Sequence, residues 1–227
     1  MNQKTILCDS SALISLTNSC FIDLLYFFTK RFIVQFIIAP SVKKEIVERP
    51  LAISMKAYEL SAMRMKKAID DRILQEVNED TLEKAKTIMG LANSMLYAKS
   101  RPIHLVDLGE ADMIALAKAT GCDTIMMDER TTRMLIEAPF RLKEHMEREM
   151  EVAVMLNKTS FDAFKDITKD MRVIRSSELA SLAFKAGYFS TYSDPGKMLE
   201  ASLYSLKYGG CSIGFGEIDE SMDELNA

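Results

Sequence analysis

The sequence predicts an α/β fold, because short apolar runs suited to buried strands alternate with segments whose apolar residues recur at helical spacing. The connections between these segments are short, and two of the strand candidates end in an acidic residue. We therefore expect a three-layer α/β/α sandwich with a mainly parallel central sheet of four to five strands, plus a C-terminal helical extension.

Five segments are strand candidates. Residues 5–8 are a short apolar run, and β-branched and aromatic residues fill "FIVQFII". "ILQEV" alternates, "CDTIMMDE" is apolar up to its acids, and "MRVI" is the fifth candidate. One predicted helix runs from about Leu51 to Asp71, and another spans "DTLEKAKTIMGLANSMLYAK". The expected helix caps and terminators are Ser41, Pro50, Asp80, Asp107, Gly121, Ser176 or Ser177, Gly187, Asp194 and Gly209.

The 227 residues are long enough to bury a sizeable core. We assign residues 1–187 to the α/β domain and residues 188–227 to the helical extension with its acidic tail. Residues 139–170 are charged and helical in pattern, and we interpret them as a helical insertion in the domain.

Composition argues against several classes of protein. The 4 cysteines are scattered without a CxxC pair, which disfavours a thiolate metal site or a disulfide framework and favours a reducing, cytoplasmic location. Charged and polar residues interrupt the most apolar region, residues 20–40, so no run spans a bilayer. The net charge of -4 argues against broad binding to duplex nucleic acid.

Acidic residues stand where two strand candidates end. Asp9 follows "TILC", and Asp128 and Glu129 follow "TIMM". If both strands are parallel in one sheet, Asp9 and Asp128 emerge at the same edge, where α/β proteins bind ligands. Glu110 and Asp112 begin a helix and have the alternative role of interacting with its dipole. For Glu45, taken alone, a solvated helix position is the simpler interpretation.

Carboxylates brought together repel one another unless a cation lies between them. Mg²⁺ or Mn²⁺ suits such an oxygen-rich site and supports phosphodiester hydrolysis by activating water. The two histidines, His104 and His145, lie in no such cluster, which disfavours a histidine-based hydrolase or a zinc site. The acids therefore predict a magnesium or manganese site.

Four segments in order resemble the PIN-domain ribonucleases: "ILCDSSALISL", "IIAPSVKKEIVE", "LGEADMIALAKATGCDTIMMDERTTRML" and "VIRSSELASLAFKAG". The resemblance extends to about Gly187. It implies that four acids are catalytic and that three of them hold metal. The catalytic set is Asp9, Glu45, Asp112 and Asp128; the metal ligands are Asp9, Asp112 and Asp128; the supporting residues are Ser10, Glu110 and Glu129.

The resemblance implies a metal-dependent endoribonuclease that cleaves single-stranded RNA, often as a homodimer. Such proteins act in RNA processing and decay or as the toxin of a toxin–antitoxin pair, with an antitoxin or another protein as partner. The extra length of the chain weakens the toxin role more than the nuclease chemistry. Candidates for contacting RNA phosphates are Lys43, Lys44, Arg130 and Arg133, although each also suits a solvated helix position.

Three other interpretations compete with this one. A catalytically weak PIN-like module would bind RNA or protein without cleaving it, although all four acids are kept. A phosphatase of the haloacid dehalogenase type needs an acid two residues after the first, where this chain has Ser11. A response-regulator receiver is disfavoured because "CDSS" and "MDER" do not supply its set of acids and late lysine.

Overall fold

The structure is a computed structural model that describes residues 4–53 and 56–226. The predicted helix from Leu51 to Asp71 crosses residues 54 and 55, and the predicted domains include residues 1–3 and 227. These positions lie outside the described residues.

The central sheet has five strands, all parallel, and helices flank it. This arrangement confirms the predicted α/β sandwich class. The strand order in the sheet is β3-β2-β1-β6-β8. The five strands are β1 (Lys4–Cys8), β2 (Val34–Ile38), β3 (Leu74–Glu76), β6 (Thr124–Met126) and β8 (Arg172–Ile174), and each matches a strand candidate.

Strand β1 occupies the middle of this order, which explains why its last three residues are apolar. Ile6, Leu7 and Cys8 are all buried, as expected for a parallel strand covered on both faces. Its register with β2 pairs Lys4 with Val34 and Leu7 with Ile37. The residue that follows β1, Asp9, therefore lies at the carboxyl edge of the sheet.

By its internal contacts the described chain divides into two compact units. The first unit contains residues 4–77, 126–129 and 174–226, and the second contains residues 78–125 and 130–173. The segment 139–170 lies in the second unit, and residues 188–226 lie in the first. The boundary predicted at residue 187 stays a prediction.

The helices of the first unit come from the N-terminal and C-terminal parts of the chain. They are α1 (Ser10–Asn18), α2 (Asp23–Phe32), α3 (Pro40–Lys43), α4 (Arg49–Ala52), α5 (Lys56–Asp70), α11 (Ser176–Lys185), α12 (Pro195–Gly209) and α13 (Phe215–Asn226). A π-helical turn, Lys44–Glu48, lies between α3 and α4.

The second unit has its own core and its own small sheet. Its helices are α6 (Leu82–Asn93), α7 (Leu108–Thr120), α8 (Arg130–Glu137), α9 (Pro139–Met150) and α10 (Lys158–Thr168). An antiparallel sheet in the order β5-β4-β7 joins β4 (Leu96–Ala98), β5 (Arg101–Pro102) and β7 (Val154–Leu156). The sequence instead predicts a helix over β4 and a helical segment, residues 139–170, over β7, because both strands lie within stretches of helical pattern.

The helical region after β2 differs from the prediction in both its start and its end. Pro40, not Ser41, begins α3, since a first-turn residue needs no N–H donor. Pro50 does not terminate the region, because α4 continues through it to Ala52. Pro50 has no N–H to donate to the carbonyl of Ile46, and the wider π-helical turn falls at the point where that bond is missing.

The later helix ends follow the sequence signals more closely. Gly121 ends α7 in the left-handed conformation, with φ 68°. The Asp194 carboxylate accepts a bond from the amide of Lys197 (2.9 Å), and Pro195 is the first residue of α12. Arg175, rather than Ser176 or Ser177, caps α11, because the Glu178 carboxylate accepts the Arg175 amide (2.9 Å).

No single helix in the described ranges is long and apolar enough to cross a membrane, while the bent pair formed by α1 and α2 passes the test on length and composition only.

Candidate functional site

Asp9 directly follows the last residue of β1 and is the N-cap residue of α1. Its backbone is extended (φ -81°, ψ 156°), and its amide donates to the carbonyl of Met126 (2.9 Å), which joins β1 to β6. Oδ2 of Asp9 accepts bonds from the amide (3.0 Å) and the hydroxyl of Ser11. The side chain therefore serves as the N-cap of α1 as well as a candidate ligand.

Burial raises the pKa of the Asp9 carboxyl above its usual value. Asp9 is only 9% exposed, so its charged form loses most of its hydration. The bonds from Ser11 and from the amide of Ser10 lower the pKa, and the negative charge of Glu45 raises it. Burial is the largest of these effects, and the pKa stays above the ordinary value of 3.8.

Asp128 lies two residues beyond β6 and is 1% exposed. Its Oδ1 accepts the amide of Ser176 (2.8 Å), and its Oδ2 accepts the hydroxyl of Ser176 (2.6 Å). Since Ser176 is the first residue of α11, the Asp128 carboxylate also satisfies donors at that helix start. Asp128 has a structural role that the sequence analysis did not foresee.

Ser11 connects the two acids. Its hydroxyl donates to Asp9 and accepts the amides of Asp128 (3.0 Å) and Glu129 (3.3 Å). Ser10, predicted as a supporting residue, acts on Asp9 only through its amide, which lowers the Asp9 pKa. The hydroxyl that fixes the Asp9 carboxylate belongs to Ser11, and Glu129 contributes its amide here.

Glu45 lies in the π-helical turn and is exposed, while its neighbours Ile46 and Val47 are buried. The buried pair anchors the turn and leaves the Glu45 carboxylate in solvent. π-Helical turns occur frequently at functional sites. The charge of Glu45 acts on the Asp9 carboxyl, and three of the four predicted catalytic acids, Asp9, Glu45 and Asp128, belong to the first unit.

The remaining predicted acids lie in the second unit, near the start of α7. Asp112 is half-buried, and its Oδ1 accepts the hydroxyl of Thr81. The Glu110 carboxylate accepts the amide of Asp107 (2.6 Å), which is the helix-capping role weighed as its alternative. The catalytic assignments of Asp112 and Glu110 stay predictions.

The candidate RNA-contacting cations differ in whether they form ion pairs with nearby carboxylates. Lys43 donates to Glu76 (2.7 Å) and lies 3.8 Å from Glu48, and these charges raise its pKa. Arg133 lies 3.5 Å from Glu137. Lys44 and Arg130 are both exposed. Lys44 is therefore the better phosphate-contacting candidate in the first unit.

The donors near Asp9 suit a hard divalent cation in their chemistry. They are carboxylate and hydroxyl oxygens, which Mg²⁺ and Mn²⁺ prefer. A cation would also offset the burial and the Glu45 charge that raise the Asp9 pKa. Each carboxylate oxygen has two lone pairs, so the bonds from Ser176 leave acceptor capacity on Asp128. Among the described residues, however, no three His, Cys, Asp or Glu side chains are already arranged to hold a metal.

The C-terminal segment is tied to Asp128 through bonds that the sequence analysis missed. The hydroxyl of Ser212 donates to the Asp128 carbonyl (2.6 Å). The guanidinium of Arg175 donates to the carbonyl of Ser212 (3.3 Å) and to the carboxylates of Glu217 (3.0 Å) and Glu178 (3.1 Å). No sequence signal relates residues this far apart, although the buried position of Arg175 demands such partners.

Removing both carboxylates around Arg175 should weaken the fold measurably. Burial lowers the pKa of Arg175, but the charges of Glu178 and Glu217 outweigh that effect and raise it. The double change Glu178→Gln and Glu217→Gln leaves a buried cation without an ionised partner, at a cost of about 2 kcal/mol. Urea unfolding measures this cost. The control Glu220→Gln with Glu224→Gln removes the same charge from α13 and should change stability by less than about 0.5 kcal/mol; equal effects would refute the role of the Arg175 pairs.

Comparisons of the chain with protein-family models, with curated proteins and with solved structures find no match.

Proposed function

We propose that the protein is a PIN-like, Mg²⁺- or Mn²⁺-dependent endoribonuclease that cleaves single-stranded RNA. One observation carries the proposal: Asp9 and Asp128 follow the adjacent strands β1 and β6, and Ser11 bonds to both residues. This edge of a parallel sheet is where α/β proteins place their ligands. The order of acids in the sequence supports the same assignment.

In this proposal, the side chains of the first unit hold the cation and orient the reacting groups. Asp9 supplies a buried carboxylate whose orientation Ser11 fixes, and Ser176 holds Asp128 in place. When bound, the cation neutralises charge on the phosphodiester and activates water for the attack. Glu45, exposed beside Asp9, adds negative charge for the cation, and Lys44 contacts the RNA backbone. Asp112 remains the predicted fourth acid.

One observation favours a second candidate function. Both carboxylate oxygens of Asp128 bond to Ser176, as in a purely structural helix cap. In that case the chain would be a catalytically weak PIN-like module that binds RNA or a protein partner. The two candidates differ in whether the acids are needed for cleavage or only for folding.

The π-helical turn offers a matched pair of variants for this test. Glu45 and Glu48 are both exposed glutamates of the same turn, and only Glu45 influences the Asp9 carboxyl. We expect wild type to cleave a panel of unstructured RNAs with Mn²⁺ and to lose activity with EDTA. Glu45→Gln should lower the cleavage rate at least about tenfold, as loss of a group next to a metal does, whereas Glu48→Gln should leave it nearly unchanged.

Thermal melting of both variants shows whether they fold. We expect both to fold as wild type does, because Glu45 and Glu48 are exposed. Equal activity of Glu45→Gln and wild type would show that Glu45 takes no part in cleavage. Wild-type protein that binds the RNAs but leaves them intact with Mn²⁺ or Mg²⁺ would favour the binding module instead.

A further inference from the structure

The second unit contains a cavity of about 350 Å³ that the proposed nuclease site does not use. It lies between α10 and the junction of α8 with α9. Its wall is largely apolar, and three of its residues, Met95, Leu135 and Phe164, are almost completely buried. The apolar lining consists of Met95, Leu135, Ile136, Ala138, Pro139, Phe140, Phe161 and Phe164.

Two cations, Arg141 and Lys165, line the cavity together with one carboxylate, that of Glu137. Arg141 and Lys165 are exposed, and in the part of the chain that the structure describes neither makes an ion pair. The ammonium of Lys165 lies 5.9 Å from the ring centre of Phe161. The acid in the lining, Glu137, lies 3.5 Å from Arg133 and is partly compensated there. The cavity therefore combines an apolar interior with an excess of positive charge.

An exposed aromatic ring also borders the cavity. Phe140 is 58% exposed, and its ring centre lies 5.2 Å from that of Phe161. The cavity is open to solvent on this side, so its apolar wall lacks the packing contacts that a filled protein interior provides. An apolar ligand placed beside Phe140 and Phe161 would restore those contacts, and rings stack favourably at this spacing.

We propose that this cavity binds a small organic anion, namely a carboxylate with an apolar aromatic or aliphatic body. The volume falls in the range of small-molecule sites, which are mostly apolar with a few polar groups that fix orientation. The apolar body contacts Phe161, Phe164 and Met95, and the carboxylate bonds to Arg141 and Lys165. Charge complementarity sets the class of ligand, because a neutral analogue forms only the weaker, uncharged hydrogen bonds with the two cations.

The test uses 1-naphthoate and its neutral analogue 1-naphthamide as probes. Protein with ¹³C-labelled methionine methyls reports the place of binding, because Met95 lines the cavity while Met63 is exposed on α5 of the other unit. We expect 1-naphthoate to shift the Met95 methyl resonance in a saturable manner and to leave that of Met63 unchanged. The amide should bind at least about tenfold more weakly, as loss of charge-assisted bonds predicts.

Two charge-removing variants and one matched control complete the design. Arg141→Gln and Lys165→Gln should each raise the Kd of 1-naphthoate by about tenfold. Lys158→Gln removes the same charge from an exposed position of α10 outside the lining and should leave the Kd unchanged. Thermal melting of all three variants verifies folding.

Three outcomes would overturn the proposal. The first is saturation without any shift of the Met95 resonance, since the anion would then bind elsewhere. The second is equal affinity for the carboxylate and the amide, which would remove the selection for an anion. The third is the absence of binding to folded wild-type protein at millimolar 1-naphthoate.

Discussion

Asp9→Asn should lower the rate of RNA cleavage at least about a hundredfold. In the proposed site it removes the charge of a direct metal ligand, and loss of even an outer partner costs up to that factor. The same change should raise the free energy of unfolding at neutral pH. Asparagine keeps an oxygen for the Ser11 donors and caps helices as well as aspartate does. It has no charge to lose hydration in a site that is 9% exposed.

The gain in stability should depend on pH in a defined direction. The folded pKa of Asp9 is raised above the ordinary value of 3.8, mainly by burial. As the pH rises through 3.8, the unfolded chain releases this proton while the folded chain retains it, so wild type loses stability. The advantage of Asp9→Asn should therefore grow from about pH 4 up to the folded pKa and then stay constant. Each unit of pKa difference corresponds to about 1.4 kcal/mol.

Urea unfolding of both proteins between pH 4 and 8 measures this difference. Asp70→Asn is the control, because Asp70 is exposed and pairs with Lys66 (2.7 Å) on the surface of α5; its effect should be below about 1 kcal/mol. Mn²⁺ should raise the melting temperature of wild type and not that of Asp9→Asn. A variant that is less stable than wild type throughout this range would show that the Ser11 bonds outweigh the burial of charge.

The sequence predicts the central sheet well because its strands carry local signals. β1, β2 and β6 are apolar runs that end at Asp9, Pro40 and Asp128, so composition and punctuation agree. The small second sheet has no such signal. Leu96–Ala98 follows a helical pattern directly, and its strand identity depends on pairing with Val154–Leu156, far along the chain.

The sequence also predicts one part of the candidate site, the positions of its acids, and not the other, the hydrogen bonds that fix them. The positions of Asp9 and Asp128 follow from strand ends, which the sequence displays. The bonds that fix these carboxylates come from Ser11 and Ser176, and a serine at a helix start looks the same in sequence whether it caps the helix or bonds to a distant acid. The link from Arg175 to Glu217 spans two helices and is a product of tertiary packing.

Asp128→Ala should cost about 3 kcal/mol of stability, because it leaves two buried donors of Ser176 without their acceptor. Ser176→Ala should cost about 1.5 kcal/mol or more, since one charged hydrogen bond is lost. Ser177→Ala is the matched neighbour: its hydroxyl is the acceptor for the Cys211 thiol at 3.6 Å, a weak bond whose loss should matter little. Urea unfolding of the three variants measures these costs.

Asp128→Asn separates folding from catalysis. Its amide oxygen can accept the Ser176 amide, and its NH₂ group can donate to the Ser176 hydroxyl, which rotates to accept. We therefore expect this variant to stay folded, with a loss of about 1 kcal/mol, and to cleave RNA at least about a hundredfold more slowly because the carboxylate charge is gone. If instead Asp128→Asn cleaves RNA as wild type does, the Asp128 carboxylate acts only as a cap for α11, and the metal must be held by other side chains.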